Sequence, residues 1–146
     1  MIKNLLSILL AVLVLNNVSL AQTETVTKNI PVLEDGAVAK KKISVEYPIY
    51  NQAYLRSVQF ELTAQPDDKT VLVISGKIEN RLVRELINAE VVINLFDKDA
   101  TAIETLIAEV RPRILGKKEK FGQFSVQSQH GPDIVACKIE ITWQGK

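Results

Sequence analysis

Nucleophilic catalysis needs a base placed beside the nucleophile, and this 146-residue chain offers one cysteine and one histidine, Cys137 and His130. Cys137 alternates with Val135, Ile139, Ile141 and Trp143, so its thiol is expected on a core face, packed as a small hydrophobe with its ionisation suppressed. His130 lies in Gln127-Ser128-Gln129-His130-Gly131-Pro132, a turn by composition, where a lone histidine reads as a solvated loop residue rather than a ligand. Catalytic zinc takes about three His, Glu, Asp or Cys ligands, and nothing here clusters at such spacings. Asp97-x-Asp99-x-Thr101 begins like a calcium loop, but Ala102 stands where that loop needs glycine and Ala108 where it needs glutamate. Asp97 and Asp99 are therefore weak metal candidates, with a polar hairpin turn as their expected role. No catalytic residue, cofactor site or cofactor is expected, because glycine-rich phosphate loops, paired-carboxylate motifs and Ser-centred elbows are all missing.

The basic side chains concentrate in two places, Lys40-Lys41-Lys42 and Lys117-Lys118-x-Lys120 with Arg111 and Arg113 nearby. If their loops meet at one end of the fold, they form a patch for an anionic glycan, a lipid headgroup or an acidic protein. If not, they keep loops wet and sheet edges unpaired. Single-stranded nucleic acid would need aromatic platforms between the cations, and none are interleaved.

The elements that must position these residues begin after an export signal. Lys3, an apolar run from Leu5 to Leu15, and Val18-Ser19-Leu20-Ala21 with small residues at Ser19 and Ala21 have the three-part layout of a secretory signal peptide. The run of about eleven residues is too short for a permanent bilayer span, which takes about 20. Cleavage is expected after Ala21, with no cysteine there to carry a lipid anchor. Loss of residues 1–21 removes Lys3, one of 18 basic side chains, and leaves 17 against 17 acidic ones. A neutral domain has no long-range field to hold it on nucleic acid or an anionic bilayer. A single cysteine excludes an internal disulfide. The chain stops directly after its last apolar alternation, so release as a soluble periplasmic or extracellular unit is expected.

Within residues 22–146 the organising signal is two-residue alternation. Residues 22–42 read as a flexible lead with a weak hairpin at Asp35-Gly36, and residues 43–146 as one β-sandwich domain. Ile43, Val45 and Tyr47 alternate up to Pro48; Val58, Phe60 and Leu62 alternate before the turn at Pro66-Asp67-Asp68; Leu72, Ile74 and Ile78 share a face with Gly76. Val91, Ile93 and Leu95 follow, closed by Asp97-Lys98-Asp99, then Phe124 with Val126, and finally Val135 to Trp143. Residues 101–110 carry both a helical spacing, Ile103, Leu106, Ile107 and Val110, and a strand face, Thr101, Ile103, Thr105 and Ile107. The strand is expected because every neighbouring element is a strand. About seven short strands separated by Pro, Gly and Asp turns indicate an antiparallel immunoglobulin-like sandwich, since a parallel sheet would need helical crossovers.

Several of these residues resemble the FxLYD domain of secreted prokaryotic proteins. Gly76-Lys77-Ile78-Glu79-Asn80 is similar to its Gly-x-Val/Ile-x-Asn strand, and Ile93-Asn94-Leu95-Phe96-Asp97 to its Phe-x-Leu-Tyr-Asp segment with Ile for Phe and Phe for Tyr. Leu115-Gly116-Lys117-Lys118 before Phe124-Ser125-Val126 is similar to its third piece without the usual proline. The likeness spans about residues 55–143. It implies an immunoglobulin-type or fibronectin-type sandwich and no enzyme activity or cofactor. The motif residues also have a physical reading: Gly76 suits a bulge or close backbone approach, Asn80 and Asp97 suit turns bonded back to the backbone, and Leu95 fills the core. The functional expectation is a non-enzymatic module of the bacterial envelope holding an unknown envelope protein by a sheet edge or one set of loops. The alternative is a small-ligand, calcium or anionic-glycan binding protein.

Overall fold

The computed structural model describes residues 21–25, 38–48 and 53–144. The stretch read as an export signal lies outside these residues except for Ala21, and so does the Asp35-Gly36 hairpin. The described chain forms strands only: β1 (Ala21–Thr25), β2 (Val38–Lys40), β3 (Ser44–Pro48), β4 (Ala53–Ala64), β5 (Thr70–Asn80), β6 (Leu86–Phe96), β7 (Ala102–Glu109), β8 (Ile114–Leu115), β9 (Phe121–Ser128) and β10 (Ala136–Gln144). One sheet runs β1-β3-β10-β6-β7 with β8 also paired to β6, and the other runs β2-β4-β5-β9. The protein is a β-sandwich.

Its central strands interlock. β5 and β6 follow one another in sequence but lie in opposite sheets, as do β9 and β10; β5 pairs with β9 and β6 with β10. Strands B, C, E and F of an immunoglobulin domain cross in the same way. Two features depart from the expected antiparallel seven strands. β3 runs parallel to β10, taking the position beside it that an antiparallel last strand fills in that fold. The stretch expected as a flexible lead contributes β1, paired with β3, and β2, paired with β4. These pairings come from the distant partners β3 and β4, so no local alternation in residues 22–42 announces them.

Alternation builds the core where it was strongest. Leu72, Ile74 and Ile78 of β5, Val91, Ile93 and Leu95 of β6, and Cys137, Ile139 and Ile141 of β10 are buried between the layers. Each Ile or Leu there contributes about 1.5–3 kcal/mol relative to exposure. β4 changes phase midway: Ala53 and Leu55 face inward, then Phe60 and Leu62 do. A register shift between Leu55 and Ser57 places Arg56 in a bulge and moves the inward set from odd to even positions. Gly76 sits across from that bulge, where a Cβ would lie 2.4 Å from the Ser57 carbonyl oxygen and 2.5 Å from the Phe124 ring. The close backbone approach expected at this glycine is thus present.

Residues 102–109 are a strand, as expected, but the inward face differs from the one expected. Leu106 lies opposite Ile93 and Ala108 opposite Val91, so they share the inward face of their partners while Ile107 is exposed. The register set by β6 turns Thr105 and Ile107 outward, while Ile103, beside the register shift between Leu95 and Phe96, packs against the core. Val135 is likewise exposed rather than in the core. It precedes β10, its amide bonded to Phe96 and its carbonyl accepting from the Ser44 amide.

Candidate functional site

The two ends of the sandwich carry opposite charge. At one end the β4–β5 turn, the β6–β7 turn and the β9–β10 loop come together: Gly131 lies against Leu62 and Leu72, and the Val135 amide bonds the Phe96 carbonyl where β6 ends. Residues 65–69, 97–101 and 129–135 there hold Asp67, Asp68, Asp97, Asp99 and Asp133 against Lys69 and Lys98. At the other end the β5–β6 loop, residues 81–85, meets the β8–β9 loop, residues 116–120. These loops hold Arg81, Arg84, Lys117, Lys118 and Lys120 against Glu85 and Glu119. The formal balance is −3 on one set of loops and +3 on the other, a separation that the neutral total hides.

Asn80, 4 % exposed, builds the basic end. Its side-chain amide donates to the carbonyls of Arg84 (2.8 Å) and Leu115 (2.7 Å), its Oδ1 accepts from the Leu82 amide (2.8 Å), and its own backbone amide donates to the Lys120 carbonyl (2.8 Å). The side chain thus fastens both basic loops to the end of β5, and Gly116 packs against Glu85 between them. The turn role expected for Asn80 is therefore only part of what it does. Around this hub Arg81 bridges Glu79 at 3.3 Å and lies 4.0 Å over the Tyr54 ring. Val83 projects from the first loop, 85 % exposed. A large aliphatic group on a cationic loop is thus left largely uncovered by the described residues.

Lys41 does the corresponding work at the acidic end. It is 6 % exposed, and its ammonium donates to the carbonyls of Gly131 and, at 2.9 Å, Pro132. Burial lowers its pKa, and the nearby Asp133 carboxylate opposes that shift. The turns beside it are closed by their own aspartates: Asp97 Oδ1 accepts from the amides of Asp99 and Thr101, both at 2.9 Å. This is the Asx arrangement expected of that sequence. His130 is exposed in its turn, its amide donating to the Ser128 hydroxyl. Among the described residues no group of three or more His, Cys, Asp or Glu could hold a metal ion.

The basic residues that would form one patch if their loops met are divided. Lys40 and Lys42 are exposed along the β2 side of the sheet, where the Lys41 amide bonds the Phe60 carbonyl, and Lys41 itself is buried. Lys117, Lys118 and Lys120 lie beside Asn80 at the opposite end of β5. Arg113 reaches the basic end through its carbonyl's bond with the Asn88 amide, while Arg111 lies further along, pairing with Glu109 and bridging Gln123. The loop residues Arg81, Val83 and Arg84, absent from the predicted patch, belong to the end the structure assembles. Their only sequence signal was position one to four residues after Asn80.

Cys137 and His130 do not form a catalytic pair. Cys137 is buried, and desolvation pushes its thiol up to about 12. An open trough of about 540 Å³ crosses the outer face of β4, β5 and β9, its floor formed by Ser57, Ser75 and Ser125 with Gln59 and Gln123 beside them. A smaller depression of about 260 Å³ lies near Asn88, Glu90, Glu109 and Arg113. Neither holds a nucleophile such as a cysteine with a histidine base.

The chain matches no model of a known protein family, and comparison with curated proteins and with solved structures finds no match either.

Proposed function

We propose that this protein is an exported, non-enzymatic β-sandwich module that holds another protein in the bacterial envelope through its basic loop end. The observation carrying this reading is the rigid presentation of Val83 amid five cations by the buried Asn80 hub. An apolar centre rimmed by charge is the anatomy of a protein interface, and loops already fastened lose little further entropy on binding. A sheet edge is the other route, through β7 or β9, each of which ends its sheet. The three-part pattern of an export signal in residues 1–21 supports a partner outside the cytoplasm.

The test compares the tagged protein with Lys117→Glu/Lys118→Glu, two exposed changes that reverse the charge of this end. Chemical cross-linking in envelope extracts should yield a stoichiometric partner with the unmodified chain and lose it with the variant. A partner retained by the variant, or none recovered by either, overturns the reading.

The trough favours a second reading, a small polar ligand or glycan. Its serine and glutamine side chains make no hydrogen bond with the described residues, leaving a row of free donors and acceptors. A glycan that binds there raises the melting temperature, and Ser75→Tyr, which fills the floor, should abolish the rise.

A further inference from the structure

The basic end carries +3 over residues 81–85 and 116–120, and the acidic end carries −3 over residues 65–69, 97–101 and 129–135. β5 alone, with its 11 residues, separates them by about 36 Å. That is several times the screening length of about 10 Å at 0.1 M salt, so neither end cancels the other within one molecule. Each end must find its counter-charge in solution or on something else.

Apart from Ile107 in the middle of β7, the exposed large apolar side chains follow the same division. Val83, Ile114 and Phe121 are exposed toward the basic end, and Val38 and Val135 toward the acidic end, where Val38 pairs with Thr63 next to the β4–β5 turn. Both ends thus combine apolar groups with a rim of net charge, and the two nets are opposite in sign. Contact between like ends of two copies would set +3 against +3 or −3 against −3, which disfavours a two-fold dimer through either end. Contact between unlike ends satisfies the charge and covers the aliphatic groups together.

We infer that the acidic partner of the basic end is the aspartate end of a second copy of this chain, so that copies associate head to tail. The inference rests on the reading of the basic end as the binding surface and names its partner. A heterologous contact of this kind leaves one free end of each sort, so it propagates into linear chains rather than closing on a pair. Lys41 offsets part of the acidic charge from below, buried beneath Pro132, and the exposed rim stays negative. Two polar clips, Asn80 and Lys41, hold the loops in place before contact.

Sedimentation velocity of the purified protein tests this. At about 0.01 M salt, where screening extends to about 30 Å, the sedimentation coefficient should climb with protein concentration; at about 1 M, where it falls to about 3 Å, the monomer should return. Lys117→Glu/Lys118→Glu spoils only the basic end, and Asp67→Lys/Asp99→Lys only the acidic end. Each variant alone should stay monomeric, because both of its ends then carry one sign, and their mixture should form a 1:1 complex between the intact +3 and −3 ends, the reversed ends holding only −1 and +1. Circular dichroism of both variants should match the unmodified protein.

A wild-type chain that stays monomeric at low salt overturns the inference, as does self-association of either variant at the wild-type level. If that monomeric chain still cross-links a different protein, lost in Lys117→Glu/Lys118→Glu, the basic end remains a binding surface and only the head-to-tail contact falls. If it instead sediments with phosphatidylglycerol vesicles, the partner is a lipid surface and the head-to-tail contact again falls.

Discussion

The two ends of the sandwich solve one problem with different side chains. At each end a long loop must be held against the sheet by a buried polar group, and the chemistry of that group follows the charge around it. The acidic end uses a cation, Lys41, whose ammonium meets two backbone carbonyls with Asp133 nearby to offset its desolvation. The basic end uses a neutral amide, Asn80, which meets two carbonyls and an amide without adding positive charge beneath five exposed cations. A buried charge costs several kcal/mol unless compensated, whereas a fully bonded amide does not carry that cost. The lesson is that a buried polar residue can be chosen for the sign of its neighbourhood as well as for its hydrogen bonds.

The sharpest way to break this comparison is Asn80→Ala. It leaves the Arg84 and Leu115 carbonyls and the Leu82 amide without their partner, and each buried orphan costs about 1–3 kcal/mol. A total loss of about 3–5 kcal/mol is expected in denaturant unfolding, with faster hydrogen exchange at the amides of both basic loops. A loss under about 1 kcal/mol would show that the loops hold themselves.

Lys41→Met comes second, at about 2–3 kcal/mol, because it strands the Gly131 and Pro132 carbonyls while keeping the aliphatic stem. Its pH dependence separates it from the amide clip. Burial lowers the folded-state pKa of Lys41 below its ordinary value of 10.5, so the unfolded chain binds more protons between the two values. Lys41 therefore makes stability rise with pH in that window, and the methionine variant should lose the rise. Asn80→Ala has no such signature.

Cys137, in the core between the ends, gives a control of opposite sign. Its thiol is raised from 9.0 to about 12 in the folded chain, so the unfolded chain ionises first. Stability should fall by about 1.4 kcal/mol per pH unit from pH 9 toward 12. The difference between the unmodified protein and Cys137→Ala should isolate that slope.

Asp97→Ala removes an Asx closure at the acidic end and should cost about 1–2 kcal/mol, within the range for loss of a cap or turn bond. The smallest effect belongs to Lys117→Glu/Lys118→Glu, two exposed side chains whose replacement should shift unfolding by no more than about 0.5 kcal/mol. Large effects at the clips and a negligible one at the charged rim would separate what builds each end from what it presents.

Much of the core could be read from the chain. Val91, Ile93 and Leu95, Leu72, Ile74 and Ile78, and Ile139 and Ile141 are buried as their alternation requires, because a strand with one wet face can place its apolar residues in only one way. The turn at Asp97 was readable for a similar reason: an Asx closure is made between residues two and four apart. The strand at 102–109 was readable in type but not in facing, since its register is set by β6.

The sequence by itself determined the central strands of the core, the turn chemistry and the inert surroundings of Cys137, all of which depend on neighbours within a few positions. Only the tertiary structure decided that residues 38–40 join β4, that β3 lies parallel to β10, that Arg56 bulges, and that Lys41 is a buried clip rather than part of a basic surface. The same holds for the polarity of the molecule. A chain whose charges sum to nearly zero says nothing about which loops share an end, because that depends on how many strand crossings, from one end of the sandwich to the other, separate them. Here the crossings gather five aspartates at one end and five loop cations at the other, about 36 Å apart along β5 with its 11 residues.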